Sequence, residues 1–384
     1  MQKRIPSVVM RGGTSKGIFF HDNHLPRDAG KRDQVILTAF GSPDPYRRQI
    51  DGLGGAVSTT SKTAIISRST NPAYDVVYNF GQVSIDRPLI DYKGNCGNIS
   101  SAVGPFAVDE GLVPAVEPMT TVRIHQKNTD KLIMAEVPVK NGRYDETGDY
   151  AISGVPGTGG KITLRFSDPG GAVTGRLLPT GNTRDTLEVP GLGSVEVTII
   201  DAANPVVLVA AAQIGLSGIE IEAIEANRET KDKLEAIRCA AAVVTGITKT
   251  AEEATRMSQA VPKIACVAVP QTYIASSGQE VSADAIDLTV RIMSMGTLHG
   301  SIAVSVAIAT AGAVMIPGTV PFNLKGTAVA KGAVIHLGHP GGIVDVGATI
   351  EMRSGEPHYV EAAVGRTARR LMEGYVLVPE RCFR

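Results

Sequence analysis

Gly94-Asn95-Cys96-Gly97-Asn98-Ile99-Ser100-Ser101-Ala102-Val103-Gly104 sets a polar, glycine-flanked cysteine directly ahead of a run of small residues. Ser100 to Ala107 is predicted to form a tightly packed helix. At a helix N-terminus the N–H groups are unpaired and the dipole is positive, so anions are favoured there. The same field favours a thiolate over a thiol. One site can therefore hold a carboxylate and a reactive sulfur together. A free cysteine is more often a small buried hydrophobe. Asn95, Gly97 and Asn98 are not the usual neighbours of a core cysteine, and they favour the functional reading.

The pattern around Cys96 returns later in the chain. Ser294-Met295-Gly296-Thr297-Leu298-His299 is again a polar loop with a glycine, and Ser301 to Ala313 is again a small-residue helix. Strands precede both loops: Ile5–Met10, Ile18–Phe20, Ser58–Ile66 and Val76–Ile85 before the first, and Ser194–Asp201, Val206–Ala210, Ile264–Val269 and Ile286–Arg291 before the second. Pro179-Thr180-Gly181-Asn182 reads as a hinge. The expected organisation is two halves of one plan with the polar loops as lips of a cleft between them. Between the strands, Arg32–Phe40 and Glu220–Ala242 read as helices, the latter broken near Glu229. Thr349–Arg353 and His358–Ala363 read as a hairpin, Arg366–Gly374 as a terminal segment and Tyr375–Val378 as a last short strand. Lys62 is the lone charge among hydroxyls and aliphatics. A surface lysine is the common case, whereas a partly buried one would have a lowered pKa and could serve as a base.

Composition narrows the function. The 384 residues suggest two domains, and Lys+Arg and Asp+Glu are both 38, so net charge is zero. No electrostatic reason to expect nucleic acid or an anionic membrane follows, and an anion site must come from local geometry. The four cysteines, Cys96, Cys239, Cys266 and Cys382, form no metal-ligand spacing and no disulfide framework, which fits a cytoplasmic protein. No secretory signal is visible at the N-terminus. The apolar run Ile302–Ile316 is shorter than the roughly 20 residues that span a bilayer, and reads as a buried helix. Arg11-Gly12-Gly13-Thr14-Ser15-Lys16-Gly17 lacks P-loop spacing but could form an anion-binding nest. A lone histidine such as His299, beginning an apolar helix, is more often structural. The oligomeric state stays open, a homodimer included.

Several long motifs resemble the PrpF family. They are Met10-Arg11-Gly12-Gly13-Thr14-Ser15-Lys16-Gly17, Gly41-Ser42-Pro43-Asp44, Gln49-Ile50-Asp51-Gly52, Thr60-Ser61-Lys62, Gly94-Asn95-Cys96-Gly97-Asn98, Pro179-Thr180-Gly181-Asn182, Arg366-Thr367-Ala368-Arg369 and Met372-Glu373-Gly374. The resemblance runs from about residue 5 to residue 378. It implies an α+β fold like that of diaminopimelate epimerase: two pseudo-symmetric domains, each a curled β-sheet around a central helix. The expected domains are 1–183 and 184–384, with the last strand free to return to the first. It also implies isomerisation of small unsaturated di- or tricarboxylates, as in 3-methylitaconate Δ-isomerase, 2-methylaconitate cis-trans isomerase and 4-oxalomesaconate tautomerase. No metal, nucleotide or redox cofactor is implied.

The family's catalytic pair maps onto Lys62 and Cys96. The expected substrate-binding residues are Thr14, Ser15, Lys16, Gly55, Asn95, Gly97, Asn98, Arg291, Ser294, Met295, Gly296 and Thr297, with Gly97-Asn98 and Gly296-Thr297 as the two loop–helix junctions. The epimerases carry a cysteine in each half, whereas the second loop here has none, which argues against a two-thiol racemase. An allylic double-bond shift is the expected reaction. The alternatives are cis-trans isomerisation of an aconitate-like acid, an amino-acid racemase, and a non-catalytic carboxylate-binding protein using the same cleft.

Overall fold

The computed structural model describes residues 1–330 and 332–383. Strand pairing follows one rule twice. In the first half Gln2–Gly12, Ser15–His21, Lys62–Arg68, Val76–Val83, Met119–Gln126, Lys131–Lys140 and Ile162–Ser167 are joined in that order. The joints are antiparallel, parallel, antiparallel, parallel, antiparallel and antiparallel. In the second half Gly193–Asp201, Pro205–Ala210, Lys263–Ala268, Leu288–Ser294, Val334–His339, Gly342–Arg353 and Glu356–Arg366 repeat the same alternation.

A parallel joint cannot be closed by a hairpin and needs a crossover. Each half therefore has two crossovers, one running outside the sheet and one inside. The outer helices are Ala29–Phe40 and Arg228–Val244. Ala29–Phe40 starts earlier than the periodicity suggests because Asp28 caps it, accepting from the Lys31 amide at 2.8 Å. Asn227 caps Arg228–Val244 in the same way and breaks it from the short helix Glu222–Ala226. The inner helices are Gly97–Asp109 and Val304–Met315. Residues 97–108 and 304–314 are all buried. A helix ringed by a curled sheet has no solvent face, which is why both are built from small and aliphatic residues.

Alternation along the strands separates the inner core from the outer ones. Ala64 and Ile66 join the inner core and Ile65 an outer one. Ala265 and Val267 do the same on the equivalent strand, against Ile264 and Cys266 outside. Lys62 and Lys263 begin these two strands and, by the same parity, both face inward.

Several boundaries differ from expectation. Ser58–Ser61 is a turn, with the Thr60 amide donating to Val57 O at 3.0 Å, so the strand begins at Lys62. The second inner helix starts at Val304, not Ser301. Ala368–Pro379 is one long strand that pairs with Gln2–Gly12, because a neighbouring backbone edge is available along its whole length. Glu356–Arg366 also pairs with Ile162–Ser167, so one sheet runs continuously through both halves. Among the described residues no helix is long and apolar enough to cross a membrane.

The inner helices meet N-terminus to N-terminus. A Cβ on Gly97 would lie 2.6 Å from Cβ and Cγ1 of Val304, closer than such atoms can approach. Gly97→Val should therefore force the helix ends apart and destabilise the fold by about 1–3 kcal/mol in urea denaturation. Gly300→Ala, where nothing lies within 4 Å, should stay within about 0.5 kcal/mol of wild type.

Candidate active site

Both inner helices lack a side-chain cap at their N-termini. Cys96 and Ala303 hold the N-cap positions, and neither makes a capping hydrogen bond. Apart from Val306, whose amide donates to Ala303 O at 2.9 Å, their first-turn N–H groups are left for a ligand or solvent. They open on one chamber of about 20 Å³ lined by Lys62, Cys96, Asn98, Lys263, His299 and Ser305, among others. The chamber thus has two positive helix ends and two lysines in its walls.

Lys62 is 7% exposed. Its ammonium donates to Gln82 Oε1 at 2.5 Å and lies 5.4 Å from the centre of the Phe80 ring. Gln82 is itself aimed by donating from Nε2 to the carbonyls of Ser58 and Ser61 at 3.1 and 2.9 Å. Gln49 extends the brace by donating to Ser61 Oγ at 2.9 Å. Burial lowers the Lys62 pKa, opposed by the charge of a Cys96 thiolate and a hydrogen bond to it. The two residues expected from sequence to be the catalytic pair therefore line the same chamber.

Asn98 ties three segments together. Its Nδ2 donates to Ile302 O at 3.1 Å, and its Oδ1 accepts from Arg366 Nε at 3.2 Å and from the Thr14 amide at 3.4 Å. Asn95 accepts from Ser100 Oγ at 3.2 Å, which steadies the turn ahead of Cys96. Ser15, Asn95, Gly97, Asn98 and Ser294 all line the chamber, as expected.

Other expected binding residues lie elsewhere. Arg291 is three residues from Ser294 on one strand and so faces the opposite side. There it donates to the carbonyls of Glu220, Ile219 and Val290, and lies 4.7 Å from the Tyr273 ring centre. Lys16 alternates with Ser15 and likewise turns away from the chamber. Gly55 sits in an exposed turn against Thr60, in the stretch that leads to the brace behind Lys62. Met295 and Gly296, with φ of 53° and 77°, close the tight hairpin that pairs Ser294 with Thr297. They are not a helix junction; that role falls to Ala303-Val304-Ser305. Thr14 opens onto a neighbouring cavity instead.

The sequence reading missed Lys263, although a lone lysine heads each of two equivalent strands. Its Nζ donates to Ala260 O at 2.9 Å. Burial, and then the nearby Lys62 charge, push its pKa down to about 8. His299, expected to be structural, lines the chamber with Nδ1 accepting from the Ser301 amide at 3.1 Å. Burial and the Lys62 charge lower its pKa to about 4. His339 is lowered to about 3, by burial and then by Arg366.

These histidines make acid sensitivity predictable. Their folded pKa values lie below the ordinary 6.5, so the unfolded chain takes up protons first as pH falls. Their contribution to stability is complete above about pH 6.5 and is lost as pH falls towards 4 for His299 and 3 for His339. In urea melts at pH 7 and 4.5, His299→Asn should show a smaller acid-induced drop in midpoint than wild type.

The comparisons with known proteins agree with this architecture. The 3-methylitaconate isomerase of Eubacterium barkeri is 47% identical over 379 residues, 98% of either chain. The 2-methyl-aconitate isomerase of Cupriavidus necator is 44% identical over 394 residues, covering 100% of this chain and 99% of that one. The crystal structure of a methylitaconate-delta-isomerase superposes with a TM-score of 0.78 at 45% identity, covering 100% of this chain and 97% of that one. A hydroxyproline epimerase from Agrobacterium vitis shares the fold alone, with a TM-score of 0.56 at 13% identity over 98% of this chain and 94% of that one. The PrpF protein family model matches residues 2–379, and the chain belongs to that family.

Proposed function

We propose that the protein is a cofactor-independent isomerase that shifts an allylic double bond in small unsaturated di- or tricarboxylates. The observation that carries this is that Lys62 and Cys96 line one small chamber at the joined ends of two uncapped helices. The chemical barrier is the weak acidity of a C–H beside a carboxylate and a C=C. Removing that proton spreads negative charge over the allyl system and the carboxylate, and fixed N–H donors and lysines stabilise it best where water is excluded. The first-turn amides of both inner helices and the Lys263 ammonium fill that role.

In the ion-paired state the Cys96 thiolate takes the C–H proton and the C–H electrons move into the allyl system. Lys62 ammonium then returns a proton at the far carbon, and the double bond moves. A neutral thiol and amine remain, and proton transfer from the thiol to the amine restores the pair. Cis-trans isomerisation uses the same anion, with bond rotation before the proton returns. The names of the relatives from Eubacterium barkeri and Cupriavidus necator point to both outcomes in this substrate class.

A chamber of about 20 Å³ is smaller than such an acid, so binding requires it to widen. The absence of any membrane-crossing helix among the described residues and the unpaired cysteines suit a cytoplasmic setting.

Proton NMR in D2O with 3-methylitaconate, 2-methylaconitate, trans-aconitate and 4-oxalomesaconate tests the assignment. Deuterium entering one allylic carbon with a displaced double bond is the expected result. Binding without exchange for every acid would instead make the protein a carboxylate carrier. Lys62→Met and Cys96→Ser should each lower turnover by at least about 100-fold while the acid still binds. Lys263→Met should lose about tenfold or more in kcat/KM.

A further inference from the structure

Beyond Asn98 lies a second cavity of about 130 Å³, lined by Thr14, Tyr150, Ser301, His339 and Arg366, among others. Arg366 is only 5% exposed. Its described hydrogen bonds go to neutral oxygens: Nε donates to Asn98 Oδ1 at 3.2 Å and Nη1 to Gly365 O at 2.8 Å. Among the described residues no carboxylate pairs with it. Asp345 also lines the cavity and its charge is felt by Arg366, but it forms no ion pair with it, being largely exposed and engaged by His336 at 2.8 Å. A buried cation without a counter-charge is costly, and proteins ordinarily pair such a group or supply a ligand. Two hydroxyls of the same cavity, Thr14 Oγ1 and Ser301 Oγ, are buried with no hydrogen-bond partner. Ser301 itself is buried.

The cavity and the reacting chamber have no lining residue in common, but near neighbours in the chain line one or the other. Asn98 lines the chamber and holds Arg366 from behind. Ser15 faces the chamber while its neighbour Thr14 faces the cavity. His299 faces the chamber while Ser301, bonded to it through the backbone, faces the cavity.

We propose that Arg366, with the hydroxyls of Thr14 and Ser301, binds the second, non-reacting carboxylate of the substrate and selects diacids over monoacids. The proposal rests on the isomerase reading for which carboxylate reacts, but its test does not depend on turnover. Isothermal titration would compare 3-methylitaconate with each of its two half-amides, in wild type and in Arg366→Met. One half-amide should bind wild type on the order of 100-fold more weakly than the diacid. Arg366→Met should erase that difference by weakening the diacid to the level of this half-amide.

An unchanged diacid-to-amide ratio, or equal weakening of all three ligands, overturns the proposal, because a purely structural arginine would act on them alike. If Arg366→Met does not fold by circular dichroism, Ser301→Ala decides. A loss of about tenfold confined to the diacid supports the subsite, and no loss or a uniform one overturns it. Arg366-dependent binding without deuterium exchange in wild type would refute the isomerase reading and keep the subsite. Failure of wild type to bind the diacid overturns the subsite.

Discussion

Two positive helix ends pressed together at Gly97 and Val304 are the constraint on which the rest of the molecule depends. Each end carries roughly half a positive charge, and like ends repel. Nothing local relieves this, because neither N-terminus is capped by a side chain. The surrounding structure holds the ends in place. Asn98 donates across the junction to Ile302 O, and the packed inner core spans both halves of the chain. Lys62, Lys263 and Arg366 add further positive charge nearby. The chain as a whole is neutral, so this is a local field created by folding. A small molecule with two or three carboxylates is the complement that such a field lacks.

The two-fold plan explains the location of that field, and its imperfection suggests the chemistry. Lys62 and Lys263 occupy equivalent strand starts, and Cys96 and Ala303 equivalent N-caps. One thiol therefore serves two lysines. In the proposed reaction, an acid lying across the pseudo-axis has the Lys62–Cys96 pair on one side and Lys263 on the other. Such a polarity suits moving a proton along a substrate better than exchanging the faces of a single carbon.

Precision at Lys62 comes from a chain of amides. Gln49 holds Ser61, Gln82 holds the backbone of Ser58 and Ser61, and Gln82 receives Lys62. Every member is buried, so water does not compete for these hydrogen bonds. The glycine-rich stretch before Lys62 is therefore a support for the lysine, and its effect on a substrate is indirect.

The local chemistry of the sequence determined the unusual features. A polar cysteine before a small-residue helix, a lone lysine opening an apolar strand, and the recurrence of loop and helix were enough to suggest two halves around a cleft. These are short-range signals, carried by neighbouring residues and by the period of each element. Tertiary structure decided the rest. Arg291 and Lys16 were expected to bind a carboxylate, but strand parity sends them to the face opposite Ser294 and Ser15. The surroundings of Lys263 and Arg366 came only from partners contributed by distant strands. The beginning of the second inner helix at Val304, with Met295-Gly296 closing a hairpin instead, depended on the Ser294–Thr297 pairing. Which charges are buried together is settled only when remote segments meet, because burial and ion pairing belong to the packed core and not to the order of residues along the chain.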